Sequence, residues 1–236
     1  MTTFKQGMQL YDSQYIVEKQ IGSGGEGSIY IVYPKDNPNN KLAAKVYTKP
    51  KEVTPEYWKK RSQEVLTLVR ISQKPNPNLA KTYDVFVTPD DEIVTIMDLI
   101  DGVTLDTYLN KQGCLIPKVA LNIFLKMLNG VKQLHHYKHK IIHRDLKPAN
   151  IMVSNDLSKV IIVDFGISTV VDDENKVLTN ELAIWGSGSY VLPDLLDVYF
   201  PKNKDKPKNI SVQSDFYSLG VILSNDFRQF TIWTNL

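Results

Sequence analysis

A run of polar residues in the middle of the sequence contains side chains that could do chemistry together. The run is His143-Arg144-Asp145-Leu146-Lys147-Pro148-Ala149-Asn150, and Asp164-Phe165-Gly166 begins nineteen residues after Asp145. The carboxylate of Asp145 can accept or orient a proton, and the ammonium group of Lys147 can neutralise negative charge. Asn150 and Asp164 offer oxygen atoms, which are the ligands that Mg²⁺ prefers.

Three glycines near the N-terminus form a second pattern. Gly22, Gly24 and Gly27 have the spacing G-x-G-x-x-G, which also marks dinucleotide-binding loops that open a helix. The residues after Gly27 are instead rich in β-branched and aromatic side chains, and they predict a strand. A glycine-rich turn between two strands can bring its backbone N–H groups to a phosphate. An ordinary glycine-rich hairpin fits this pattern equally well.

The elements that must position these residues fall into two groups. The first hundred residues are predicted to be mostly strand, with one helix from Pro55 to Ser72. The strands are expected at Tyr15–Ile21, Ser28–Tyr33 and Leu42–Tyr47 and in the runs NPNLAKTYDVFV and EIVTIMDLI. After Gly102 the pattern changes, and Pro117 begins a long amphipathic helix. The sequence therefore predicts a small sheet-rich lobe and a larger helical lobe.

The glycine loop, the lysine of LAAKVY, HRDLKPAN and DFG resemble, in this order, the signature set of the eukaryotic-type protein kinase superfamily. Each short motif alone is usually an ordinary turn, but all of them in register are not expected by chance. A lysine two residues after Asp145 is typical of the serine/threonine branch. The resemblance covers roughly residues 15–223 and implies an α+β, bilobal protein-kinase-like fold. We expect an N-terminal extension at 1–14, an N-lobe at 15–100, a C-lobe at 101–223 and a divergent tail at 224–236.

This resemblance implies a protein serine/threonine kinase with Mg-ATP in the cleft between the lobes. Such an enzyme transfers the γ-phosphoryl group of ATP to Ser or Thr hydroxyls of a protein substrate. Asp145 would act on the substrate hydroxyl and Lys147 on the charge of the transferring group. Lys45 would hold the α- and β-phosphates, with Glu64 as its partner. Asn150 and Asp164 would be the Mg²⁺ ligands.

The resemblance also assigns the residues around the nucleotide. Met97 takes the gatekeeper position, Asp98 and Ile100 bring backbone groups to the adenine, and Ala43 and Met152 sandwich its ring. The remaining nucleotide-binding positions surround the glycine loop and are Ile21, Gly22, Ser23, Gly24, Gly25, Gly27 and Ile29.

Two further expectations concern the lower lobe. Asp215 matches the aspartate that begins the helix anchoring the catalytic loop. Self-phosphorylation at Thr179 or Ser187 would order the activation segment through Arg144. By contrast, His135, His136 and His139 are expected to form an exposed helix end and not a metal site.

Composition narrows the function classes. The 28 basic and 26 acidic side chains give a net charge of +2, so the balance does not suggest nucleic-acid binding. Cys114 is the only cysteine, which excludes an intrachain disulfide and fits a cytoplasmic protein. No apolar run is long enough for a signal peptide or a membrane span. The oligomeric state is not predicted.

The family pattern stops after Leu223, where the superfamily would continue with several more helices. We therefore expect a C-lobe that is incomplete, in a chain that is either C-terminally truncated or naturally minimal. An alternative function is a catalytically weak or inactive module that binds nucleotide or a partner. The retained Lys45, Asp145, Asn150 and Asp164 argue against that alternative. A small-molecule phosphotransferase of related fold fits the HRDLKP form less well.

Overall fold

A computed structural model describes residues 4–24, 27–47, 54, 75–113, 115–137, 140–164, 169–171, 189–193 and 211–226. The chain divides into two compact units: residues 1–74 with 81–100, and residues 75–80 with 101–236. The second unit thus includes the segment 75–80, which the sequence alone assigns to the N-lobe. The helix predicted over 55–72 lies outside the described residues.

The first unit contains a curled antiparallel sheet of six described strands. The strands are β1 (Gln9–Leu10), β2 (Tyr15–Gly24), β3 (Gly27–Pro34), β4 (Leu42–Tyr47), β5 (Thr82–Val87) and β6 (Ile93–Asp98). Their order in the sheet is β1-β2-β3-β4-β6-β5. Strand β4 is buried along almost its whole length, because it lies in the middle of the sheet between β3 and β6. The hydrophobic core of this unit includes Val17, Tyr30, Val32 and Ile96.

Three α-helices and two small sheets are described in the second unit. The helices are α1 (Leu105–Gln112), α2 (Pro117–His135) and α3 (Gln213–Val221), and a π-helical stretch, Ile222–Asp226, follows α3. The strands are β7 (Val103–Thr104), β8 (Lys140–Ile142), β9 (Ile151–Val153), β10 (Val160–Ile162) and β11 (Thr169–Val171). They form one sheet in the order β10-β9-β7 and another in the order β11-β8. The α+β class with a sheet-rich first part is confirmed.

Helix α2 is the central element of the second unit. Pro117 occupies its first turn, where proline costs no hydrogen bond. Its buried positions Ile123, Met127, Val131 and Leu134 recur at helical spacing and are completely shielded from solvent. Each such burial contributes about 1.5–3 kcal/mol to stability. The predicted start and the apolar face of this helix are confirmed.

The segment 75–80 is attached to α2 and β10 by a polar network. Asn78 Nδ2 donates to the carbonyl oxygen of Val160 at 2.8 Å, and Asn129 Nδ2 donates to Asn78 Oδ1 at 2.8 Å. The helix can approach this closely only because residue 130 is glycine, since a Cβ there would lie 2.9 Å from the carbonyl oxygen of Asn78. The segment 75–80 is therefore fixed to the second unit by buried hydrogen bonds.

None of the helices in the described part of the chain combines the length and the apolar composition that a bilayer crossing needs.

Candidate active site

The polar run 143–150 is anchored to helix α3 by one buried carboxylate. Asp215 lies in the first turn of α3 and is completely buried. Its Oδ2 accepts a hydrogen bond from the backbone N–H of His143 and its Oδ1 accepts one from the backbone N–H of Arg144, both at 2.9 Å. Arg144 has a left-handed φ of 71°, which is unfavourable for a residue with a Cβ. The bonds to Asp215 help to hold the backbone in this conformation.

The same run is attached to the chain that carries Asp164. Val163, directly before Asp164, donates its backbone N–H to the carbonyl oxygen of Asn150 at 2.9 Å. The ring of His143 reaches the carbonyl oxygen of Val163 through Nε2 at 3.3 Å. Asp164 itself has a φ of 66°. These contacts fix the backbone that leads into Asp164 relative to the run 143–150.

Asp145, Lys147 and Asn150 converge within the run. The Oδ2 atom of Asp145 lies 2.8 Å from Lys147 Nζ and accepts a hydrogen bond from Asn150 Nδ2 at 2.7 Å. Asn150 Nδ2 also donates to the backbone carbonyl oxygen of Asp145 at 2.8 Å. The side chains of Asp145 and Lys147 are 6% and 14% exposed, so the ion pair is largely shielded from water and strengthened accordingly. Contacts with Lys147 and Asn150 therefore orient the carboxylate of Asp145.

The geometry of Asn150 suits a role as a metal ligand. Because its Nδ2 donates to Asp145, its Oδ1 is the atom left to accept a cation. Among the described residues, no group of three or more His, Cys, Asp or Glu side chains could hold a metal ion. Mg²⁺ typically needs only one or two protein oxygens when a substrate supplies phosphate oxygens. Asn150 and Asp164 supply oxygen donors of the kind that Mg²⁺ accepts beside phosphate oxygens.

In the first unit, the glycines form the tip of the β2–β3 hairpin. Gly22 is paired with Ile29 and Gly24 with Gly27, so the ladder continues through the glycine-rich stretch. Gly27 has a φ of 144°, and a Cβ there would lie 1.9 Å from the carbonyl oxygen of Val46, so packing requires glycine. At Gly24 a Cβ would meet no atom of the described residues within 4 Å, its two chain neighbours aside.

Lys45 and three of the predicted adenine positions, Ala43, Met97 and Asp98, lie on neighbouring central strands of the same sheet. Lys45 is opposite Ile29 on β3 and Thr95 on β6, and Ala43 is opposite Met97. Lys45 is 8% exposed, and its Nζ lies 4.6 Å from the centre of the Tyr47 ring. Asp98 ends β6, and its side chain accepts hydrogen bonds from Lys81 N and Tyr83 Oη, both at 2.9 Å. Because these residues pair across adjacent strands, the sheet brings them together.

The other predicted positions are placed as follows. Ile21 is 49% exposed, Ser23 is exposed, and Ile29 and Ile100 are half-buried in the first unit. Met152 is half-buried at the middle of β9 in the second unit. Glu64, Gly25, Thr179 and Ser187 lie outside the described residues.

His135 is a member of the site that the sequence did not reveal. Its side chain is only 6% exposed, and its Nε2 lies 2.8 Å from Asp215 Oδ2. Because a carboxylate only accepts hydrogen bonds, His135 Nε2 must carry the hydrogen. The expectation of an exposed histidine is therefore wrong for His135, although it is correct for His136. His139 lies outside the described residues.

The comparisons with known proteins agree with this arrangement. A family model described as protein kinase domain matches residues 15–235, which extends beyond Leu223. A protein of Mycoplasma genitalium named "Putative serine/threonine-protein kinase" is 32% identical over 240 residues, covering 91% of this chain and 61% of the relative. Serine/threonine-protein kinase tousled-like 2 of Xenopus tropicalis is 32% identical over 225 residues, covering 93% of this chain and 31% of the relative. The chain thus spans less than two thirds of the length of these curated relatives. The family match covers residues 15–235 and includes the run 143–150 that Asp215 anchors. The chain therefore belongs to the protein kinase domain family.

Proposed function

We propose that this chain is a protein serine/threonine kinase that transfers the γ-phosphoryl group of Mg-ATP to Ser or Thr hydroxyls. The observation that carries the proposal is the orientation of Asp145 by Lys147 and Asn150, within a loop that Asp215 anchors. Phosphoryl transfer depends mainly on positioning and charge neutralisation, and this loop supplies both. The names of the curated relatives and the lysine two residues after Asp145 support Ser and Thr as acceptors.

The roles follow from the atoms available. Asp145 orients the acceptor hydroxyl and takes its proton, while Lys147 neutralises negative charge on the transferring group. Asn150 and Asp164 would hold Mg²⁺, which neutralises phosphate charge when bound. In the first unit, the glycine hairpin and Lys45 would bind the phosphates, with Glu64 as the partner of Lys45. Ala43, Met97, Asp98, Ile100 and Met152 would contact the adenine.

The test is transfer of labelled γ-phosphate from Mg-ATP to a generic basic protein. We expect label on serine and threonine, at least a hundredfold less transfer with Asp145→Asn, and unchanged transfer with Asp156→Asn. Asp156 is a suitable control because its carboxylate is exposed in the turn between β9 and β10. Transfer that survives Asp145→Asn, or label on tyrosine alone, would refute the proposal. Folded protein that binds ATP without transfer would instead support a nucleotide-binding module.

We also propose that the chain phosphorylates itself and acts in the cytoplasm. Thr179 and Ser187 lie in the stretch that follows Asp164 in sequence, and Arg144 has the charge to hold a phosphate there. Mass spectrometry after incubation with Mg-ATP should find phosphate at one of these residues and none in Asp145→Asn.

The proposal of a cytoplasmic location rests on the cysteine content. The single cysteine, Cys114, supports a reducing compartment.

A further inference from the structure

The N-terminal segment, residues 4–14, is folded onto the sheet although the family match begins only at residue 15. Phe4 and Leu10 are each 4% exposed and belong to the core of the first unit. Gly7 donates its backbone N–H to Val17 O at 2.8 Å, and Val17 donates back to Met8 O at 2.9 Å. The segment therefore adds structure to the first unit that the family pattern does not account for.

This segment joins the two edges of the sheet. β1 and β5 are the edge strands, and the ring of Tyr11, just after β1, stacks on the ring of Phe86 in β5 at 4.8 Å and 11°. Nearby, the hydroxyl group of Tyr15 donates a hydrogen bond to the carboxylate of Asp84 in β5. The edges of the curled sheet thus meet through side chains.

The turn that presents Tyr11 is strained. Tyr11, Asp12 and Ser13 have φ values of 51°, 51° and 68°, so three consecutive residues with a Cβ are left-handed. Residues other than glycine visit this region mostly as single residues, because the Cβ meets a carbonyl oxygen. Such strain persists where the surrounding structure enforces it, and it is concentrated at binding sites.

A cavity of about 670 Å³ lies where the edges meet, and we call it the seam cavity. Its walls are residues 4 and 8–12 on one side and residues 86–90 on the other. Three large apolar side chains in these walls remain exposed, Met8 by 39%, Tyr11 by 37% and Val87 by 43%. Cavities of this volume with mainly apolar walls are typical of binding sites.

The charged residues of the seam cavity all have one sign. Asp12 and Asp90 belong to its walls, and among the described residues that line it there is no Lys, Arg or His. The stacked rings of Tyr11 and Phe86 add π-faces, which attract cations. The exposed Asp12 thus places a negative charge beside the apolar surface of the seam cavity, although the whole chain has a net charge of +2.

We propose that the seam cavity is a docking site for a segment of a partner protein in which a large apolar side chain is adjacent to a lysine or arginine. The apolar side chain would be buried between Met8, Tyr11 and Val87, and the cation would lie against Asp12. Residues 4 and 8–12 lie outside the family match, so the family pattern does not account for this side of the site. It contains none of the residues assigned to phosphoryl transfer and does not depend on that assignment.

The test is selection of a displayed library of random twelve-residue peptides on the whole chain. The dissociation constants of the enriched peptides are then measured by fluorescence anisotropy. We expect enriched sequences that pair a large apolar residue with Lys or Arg. Val87→Glu and Asp12→Lys should each weaken their binding at least tenfold. Leu125→Glu is the matched control, because Leu125 is 54% exposed on α2 in the other unit, and it should leave binding unchanged.

Several outcomes would overturn the proposal. Failure to enrich any peptide, peptides without a basic residue, or equal affinity for Val87→Glu and the parent chain would each do so. Concentration-dependent dimerisation in sedimentation that Val87→Glu abolishes would assign the cavity to a second copy of the chain instead. Val87→Glu replaces an exposed side chain and should melt like the parent chain, whereas Asp12→Lys changes a left-handed position and is compared with the parent at a temperature where thermal melting shows both to be folded.

Discussion

Replacing His135 tests whether a side chain outside the polar run 143–150 holds that run in place. In the His135→Leu variant, the buried carboxylate of Asp215 loses the donor at 2.8 Å and keeps the two backbone donors at 2.9 Å. A hydrogen bond to a charged group contributes about 1.5–3 kcal/mol. The ring of His135 also packs edge-on against Phe216 at 5.4 Å, a contact worth about 0.5–1.5 kcal/mol.

The His135→Gln variant separates these two contributions. Glutamine loses the ring contact as leucine does, but its amide Nε2 can still donate to Asp215. The difference between the two variants should therefore equal the value of the donor alone. For a chain of this length, about 1.5–3 kcal/mol corresponds to roughly 3–12 °C in melting temperature.

The assay is thermal unfolding together with kcat and KM for ATP. His135→Leu should lower the melting temperature and kcat with little change in KM, and His135→Gln should restore most of both. His136→Leu is the control, because His136 is exposed and its Nδ1 lies 2.7 Å from Lys132 O in the preceding turn of the same helix. If the Leu and Gln variants behave alike, or if His136→Leu is equally harmful, then the bond from His135 to Asp215 does not position the loop.

Three further predictions concern packing and pH dependence. Gly130→Ala should lower the free energy of unfolding by about 1–3 kcal/mol in urea denaturation, because its Cβ would lie 2.9 Å from Asn78 O; a gain in stability, as helix propensity alone implies, would contradict the packing. Burial, and then the hydrogen bond to the Asp84 carboxylate, raise the pKa of Tyr15. The stabilisation that Tyr15 provides is therefore complete below its ordinary pKa of 10.0 and is lost progressively as the pH rises above that value. Tyr15→Phe should therefore cost stability at pH 8 and less at pH 10.5, and an equal cost at both values would refute this. A hydrogen bond from Ser154, and then one from a backbone N–H, lower the pKa of Asp156 to about 2. Its contribution to stability is complete above the ordinary value of 3.8 and is lost as the pH falls from there through about 2. Ser154→Ala should raise this pKa in a carboxyl NMR titration.

Much of the fold could be predicted from local sequence. The strands of the first unit were recognisable because β-branched and aromatic residues cluster in them, and α2 because its apolar residues recur at helical spacing. The glycines were expected to form a turn, but the structure continues the strands through Gly22 and Gly24 to the tip. Glycine is a weak strand former, so propensity places the strand ends too early.

The parts that could not be predicted depend on contacts between distant residues. His135 and Asp215 are eighty positions apart, and nothing near His135 distinguishes it from His136, which is exposed. The pairing of Tyr11 with Phe86 likewise depends on how far the sheet curls. Asn78 belongs to the second unit because of the partners described above, whereas the sequence predicts a strand over the whole run NPNLAKTYDVFV; the strand begins only at Thr82. These features follow from tertiary packing and leave no local pattern.

The position of Asp215 has a consequence for the dynamics of the loop. The amide hydrogens of His143 and Arg144 are bonded to a carboxylate that is itself part of helix α3, with no exposure to solvent. These amides can exchange with water only when the loop separates from the helix, and that separation takes two of its three hydrogen-bond donors from a buried carboxylate. Hydrogen exchange at these two amides should therefore be as slow as the global unfolding of the second unit. The run 143–150, to which we assign the chemistry, would then belong to the most protected part of its unit, in contrast to binding loops that open locally.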